Sequence, residues 1–245
     1  MTAAALLISD MHLDEAKPVL TDILFRFLRG QARTAPELYL LGDLFNYYVG
    51  DDTDEPLVAS FANEVKAVAD SGTKVFAIHG NRDFLMAEKF AALGGLTILP
   101  DPTVRKIGGV DTLLTHGDRY CTNDKEYMQQ RAMFRSPQGI QMILGKSLAE
   151  RHVMAAHLRQ KSIETQKAAG RPMDAGDVAD DTLIKEMSEK SVHRLIHGHT
   201  HKPAEHQVTL PDGSKAERIV LSDWRDHGQA LEIRSDGSFV RHELT

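Results

Sequence analysis

Short runs of apolar residues alternate along the first half of the chain with longer stretches in which apolar side chains recur every three or four positions. The runs at 4–8, 38–41, 74–78 and 110–115 have the length of buried strands. Between them, Pro18, Leu20, Ile23, Leu24, Phe27 and Leu28 predict a helix opened by proline and stopped by Gly30. A second helix is predicted from about Glu55 to Ser71, ending at Gly72. Strand alternating with helix predicts an α/β core. The N-terminal apolar run is short and has no Lys or Arg before it, so it is expected to be a buried strand and not a signal peptide, which keeps the protein inside the cell.

The pattern changes near residue 124. From there to about 170 no strand signal is present, and Met128, Met133, Phe134, Ile140, Met142, Ile143, Leu144, Met154 and Leu158 fall mostly at helical spacing. A helical insertion over 124–171 is expected inside a single domain spanning 1–245. A further helix to about Lys190 and a strand from Val192 to Ile196 follow. The chain then closes with strands joined at the turns Pro211-Asp212-Gly213-Ser214 and Ser235-Asp236-Gly237-Ser238.

Charge sharpens this division. The whole chain carries −6, from 29 basic and 35 acidic residues, which excludes global attraction to nucleic acid. Residues 124–171 hold nine Lys or Arg against four Asp or Glu, a net of +5, so the remainder is −11. The single cysteine, Cys121, excludes an intrachain disulfide and fits a reducing compartment. No run approaches the roughly 18 apolar residues of a membrane span.

Groups able to bind metal cluster at the predicted strand ends. They are Asp10-Met11-His12, Gly42-Asp43, Gly80-Asn81-Arg82-Asp83, His116-Gly117-Asp118 and His197-Gly198-His199-Thr200-His201. In an open α/β sheet the carboxyl ends of the strands share one rim, so loops far apart in sequence can converge. Residues two apart on an extended backbone point to the same side, which pairs Asp10 with His12 and His197 with His199. Carboxylate and imidazole together suit Mn²⁺, Fe²⁺ or Zn²⁺ better than Ca²⁺. His79, His152, His157, His193, His206, His227 and His242 have no partner motif and are expected to be structural or exposed.

With these motifs the chain resembles the calcineurin-like metallophosphoesterases, whose pattern is D-x-H, GD, GN, a mid-chain His and a final GH-x-H. The resemblance implies a four-layer α/β/β/α sandwich and a dinuclear centre of two Mn²⁺ ions. One ion would take Asp10, His12, Asp43 and His199; the other would take Asp43, Asn81, His116 and His197, with Asp43 bridging. Many members carry His after the Gly-Asn pair, where it can protonate a poor leaving group. Here that position is Arg82, which stays charged and cannot act as a general acid but can clamp a phosphate. The departure points to cleavage of P–O–P in preference to an alkyl phosphomonoester.

The strings Leu41-Gly42-Asp43-Leu44-Phe45, His79 to Leu85, and Ile196 to Ala204 are similar to those of members that hydrolyse an acylated UDP-sugar in lipid A synthesis. That resemblance implies water attack on the uridine-linked phosphorus, release of UMP and an acylated sugar phosphate, and a helical lid with Met128, Met133, Met142 and Met154 available to acyl chains. The implied substrate contacts are Asn81, Arg82, Asp124, Ser162 and His197. Gln166 and either Lys167 or Arg171 stand where Asn or Thr and Lys are usual, and Asn46-Tyr47-Tyr48 replaces an acidic residue and a tryptophan. The basic insertion could also meet the anionic cytoplasmic face of the inner membrane peripherally; no nucleic-acid or protein partner is implied. The alternatives are the same chemistry on another nucleotide diphosphate or dinucleotide polyphosphate, and a non-catalytic scaffold, which would be expected to have lost ligands.

Overall fold

A computed structural model describes residues 2–167 and 177–245, without the side chains of 165–167. Arg171 and the side chains of Gln166 and Lys167 therefore lie outside the described residues. The chain order is β1 (Ala3–Ile8), α1 (Pro18–Arg29), β2 (Glu37–Leu40), α2 (Pro56–Asp70), β3 (Lys74–Ala77), α3 (Glu88–Gly94), β4 (Thr97–Ile98), β5 (Thr103–Ile107) and β6 (Val110–Leu114). It continues with α4 (Lys125–Phe134), α5 (Pro137–Leu144), α6 (Leu148–Lys167), α7 (Asp180–Glu189), β7 (Arg194–His197), β8 (Ala204–Thr209), β9 (Lys215–Val220), β10 (Gly228–Arg234) and β11 (Phe239–Leu244).

Two sheets form, one in the order β11-β10-β1-β2-β3-β4 and one in the order β5-β6-β7-β9-β8. Strand alternation decides what each covers. Leu6, Ile8, Leu38 and Leu40 pack against the apolar stripes of α1 (Leu20, Ile23, Leu24, Phe27) and α2 (Phe61, Val65, Val68). Their neighbours Ala5, Leu7, Tyr39 and Leu41 turn inward to meet Leu114, Ile196, Ile219 and Leu221 of the second sheet. That sheet's outer face, with Leu113, Leu195 and Ala216, lies under Leu183 and Met187 of α7. Each such side chain contributes roughly 1.5–3 kcal/mol when fully buried. The result is the expected layering of helix, sheet, sheet and helix.

The sequence pattern missed α3, β4 and β5. β4 has two residues and α3 seven, both shorter than a window that registers periodicity. β5 interleaves Arg105 and Lys106 with its apolar positions and so shows no apolar run.

The basic segment does form helices α4, α5 and α6, but its apolar spacing does not mark a buried stripe. No residue of α4 is buried, and Met133, Met142, Leu144 and Val153 are exposed. Arginines tie these helices down instead. Arg131 Nε and Arg135 Nη2 donate to the buried carboxylate of Asp118 at 2.8 and 3.1 Å. Arg151, only 3% exposed, pairs with Asp52 and donates to the Val49 carbonyl. Among the described residues no helix is long and apolar enough to cross a membrane.

Candidate metal centre and substrate cleft

Parallel pairing of β1 with β2 and β3 in one sheet, and of β6 with β7 in the other, brings five strand ends to one rim. Oxygen and nitrogen atoms of Asp10, Asp43 and His116 gather there within 4.8 Å of one another, as do those of Asp10, His12 and His201. His116 Nε2 lies 3.6 Å from Asp43 Oδ1 and 3.1 Å from Asn81 Oδ1. The His116 and His199 rings are 5.1 Å apart.

His201 was not singled out from the sequence, and it occupies the place expected for a neighbour. Its Nε2 is 3.3 Å from Asp10 Oδ1 and 3.1 Å from His12 Nε2, and Asp223 Oδ2 stands 3.4 Å from its Nδ1. His197 joins neither cluster. It is the last residue of β7, where Ile196 faces the inter-sheet core, so His197 shares the outward face of Leu195. Its Nδ1 lies 2.8 Å from the Gly198 carbonyl oxygen. The geometry therefore brings His201, and not the expected His197, beside Asp10 and His12. The signal was present, because GH-x-H matches Gly198-His199-Thr200-His201.

Backbone conformation marks the same set. Asp10, His12, Asp43, His199 and His201 all have positive φ, between 47° and 66°; among the described residues the only other non-glycine with positive φ is Ser191. Side chains other than glycine seldom adopt this region, at a cost of order 1–3 kcal/mol each, and such strain collects at functional sites. The paired ligands thus converge through left-handed loop residues beyond the strand ends, not through strand alternation as expected. Gly80 and Gly198 permit close approach, since a Cβ on either would overlap the carboxylate of Asp43 or Asp10 respectively. Asp83 braces the arrangement by accepting from Leu44 N at 2.8 Å and Gly80 N at 2.6 Å.

The rim is charged and largely buried. Burial opposes ionisation of Asp10, but His201 and the charges of His116 and His12 hold its carboxyl well below the usual range. Burial also works against the His116 cation, yet Asp43, Asp10 and Asp118 raise it to about 9. His12 is pushed down to about 3 by burial and by Arg82, and His199 to about 4 by burial and by His116. Asp10 Oδ1 and His12 Nδ1 are buried without a hydrogen bond. Unsatisfied donor and acceptor atoms of this kind are costly without a partner. Carboxylate, imidazole and amide groups at this spacing fit divalent cations of the Mn²⁺ or Zn²⁺ type.

A cleft runs from the rim beneath α5 and α6. Asn81, Arg82, Tyr47, Met154, Leu158 and Ser162 line it, together with Arg159. Arg82 Nε donates to Asp43 Oδ2 at 3.1 Å and its Nη1 to Asn46 Oδ1 at 3.0 Å. Among the described residues Arg159 has no ion pair or hydrogen bond, and burial and Arg82 lower its pKa. It carries no motif, so only the fold could bring it to this cleft. Asp124 does not line the cleft; it caps α4, accepting from Tyr127 N at 3.0 Å. Of the four methionines, Met154 reaches the cleft while Met133 and Met142 are exposed. His79 Nε2 lies 2.7 Å from the Met86 carbonyl oxygen, in keeping with a structural role.

Two facing sheets with acidic and imidazole groups converging from five strand ends define a metal-dependent phosphoesterase. The calcineurin-like phosphoesterase family profile matches residues 4–203, and the chain belongs to that family. It is 42% identical over 239 residues to a UDP-2,3-diacylglucosamine hydrolase of Marinobacter nauticus, covering 97% of each chain. Proteins of the same name from Pseudomonas paraeruginosa and Cellvibrio japonicus are 43% and 41% identical, with at least 96% of every chain covered.

Proposed function

We propose that this chain hydrolyses the pyrophosphate bond of UDP-2,3-diacylglucosamine, giving 2,3-diacylglucosamine 1-phosphate and UMP in lipid A synthesis. The observation that carries this reading is the near full-length likeness to hydrolases of that name, on a chain that keeps the rim groups in one place. In this reading Asp10, His12, Asp43 and His201 would hold one divalent ion, proposed to be Mn²⁺, and Asp43, Asn81, His116 and His199 would hold a second. When bound, the ions polarise phosphoryl oxygens and activate water.

The protein's own groups do the rest. Water adds to the uridine-linked phosphorus, the P–O–P bond breaks, and the acylated sugar leaves as its phosphate. A phosphate is a good leaving group, so Arg82 can occupy the position where other members of the family carry an acid. Arg82 and Arg159, which both line the cleft, offer two guanidinium groups to the diphosphate. Ile143, Met154 and Leu158 give the cleft an apolar wall suited to acyl chains. Residues 124–171 then serve as a lid within a single domain of 1–245. The exposed Met133, Met142, Leu144 and Val153 on this basic insertion suit peripheral contact with an anionic inner-membrane surface, where such a substrate resides.

The test is turnover of the acylated UDP-sugar with Mn²⁺ and identification of the products. UMP release that requires metal and is lost in Asp43→Ala is expected. No turnover of this substrate, together with rapid cleavage of a simple dinucleotide polyphosphate, would replace the acylated sugar with a soluble nucleotide.

A further inference from the structure

Behind the loop that carries His199 and His201, on the outer face of the second sheet, lies a second pocket of about 220 Å³. Thr200, Lys202, His206 and Arg218 line it, with Asp177 as the acidic group of the lining among the described residues. Arg218 is 8% exposed, and its Nε is buried without a hydrogen bond. Its nearest acid, Asp180, is 3.7 Å from Nη2 and largely in solvent. Lys202 pairs with Asp177 at 2.6 Å, so Arg218 is met by the long contact to Asp180 and a shared attraction to Asp177, while its Nε stays unbonded. His206 stands directly opposite Arg218 in the β8–β9 pair and, with its pKa lowered by burial and by Arg218, supplies no counter-charge.

Five N–H donors on a cation removed from water demand acceptors. One structural water needs only some 10–15 Å³, so this pocket is more than tenfold larger than a single water would require. A planar guanidinium next to an ammonium and a hydroxyl matches the oxygens of a tetrahedral anion.

We propose that this pocket is a second anion site, distinct from the catalytic cleft, that binds phosphate or a small phosphomonoester through Arg218, Lys202 and Thr200. An anion there ties β9 to the loop bearing His199 and His201. Inorganic phosphate titrated calorimetrically into the Mn²⁺-loaded full chain at low salt tests this. The wild type should show binding that survives Arg82→Ala and weakens about tenfold or more in Arg218→Met, the loss expected for hydrogen bonds to a charged group. Lys202→Gln, at an exposed position that does not threaten folding, should weaken it about threefold. Methyl phosphate separates the two sources: competition indicates an ester, and its failure while phosphate binds indicates the free ion. Isotherms for Arg218→Met and Lys202→Gln that superimpose on the wild type, or phosphate binding abolished by Arg82→Ala, would overturn the proposal. Hydrolysis of the acylated UDP-sugar is a separate measurement, so either reading can fail alone.

Discussion

At the scale of single residues, His197 and His201 separate burial from chemistry. His201 sits against Asp10 and His12 with a strained backbone, whereas His197 continues the outward face of β7. On the proposed two-metal reading, His201→Ala should lower bound Mn²⁺ from two ions toward one per chain, measured by elemental analysis after gel filtration, while His197→Gln keeps both. Equal metal content in the two variants would remove His201 from the centre. His197 also carries an acid sensitivity. Burial, opposed by its bond to Gly198, holds its pKa down at about 3, so the unfolded chain takes up its proton first. Its contribution to stability is present above pH 6.5 and is lost as pH falls toward 3; His12 and His199 act in the same direction. His116 acts oppositely, contributing below pH 6.5 and fading as pH rises through about 9. Urea midpoints of metal-free protein should therefore fall between pH 6.5 and 4.5, and fall less in His197→Gln; an equal slope would contradict the assignment.

At the scale of elements, the insertion is held by charge where the core is held by apolar faces. Asp118 is fully buried and receives Tyr127, Arg131 and Arg135, and Arg135 also donates to the Gly80 carbonyl at 2.9 Å, so α4 and the Asn81 loop share one anchor. Removing one partner of a buried ionic cluster costs about 3–5 kcal/mol. Asp118→Ala should lower unfolding free energy by that amount and raise KM for the acylated substrate. Arg131→Met, which leaves Arg135 in place, should do less. A KM equal to wild type in both would separate the anchor from the cleft. The elements also show what the sequence could reveal. Leu20, Ile23, Leu24, Phe27 and Leu28 announced α1 because one face meets a sheet. The five motifs announced the rim because parallel strands end together. β5 was hidden by the adjacent charges of Arg105 and Lys106, and Arg159 by lying a long way along the chain from Arg82, with only tertiary packing to join them. His201 was legible in GH-x-H, but a pairing argument built on extended backbone overlooked the left-handed turns that set the actual geometry.

At the scale of the whole molecule, charge and apolar exposure divide along the same line. The −6 of the chain combines +5 in residues 124–171 with −11 elsewhere, and among the described residues four of the seven large exposed apolar side chains lie in that same insertion. An acidic body is repelled by anionic lipid, so attraction must be confined to the helices that roof the cleft. Lys125, Lys146 and Lys161 offer the test because each side chain is at least partly in solvent and none lines the cleft. Each basic residue close to such a surface contributes roughly 1 kcal/mol, so neutralising all three to Gln should cut partitioning about 100-fold. Met142→Ser with Leu144→Ser and Val153→Ser should weaken the salt-resistant part that remains. Flotation with vesicles containing phosphatidylglycerol measures both; vesicles of phosphatidylcholine alone should bind less, and added salt should release the wild type but affect the lysine variant little. Wild-type and variant proteins that float equally would place the acyl chains' delivery elsewhere than on this face.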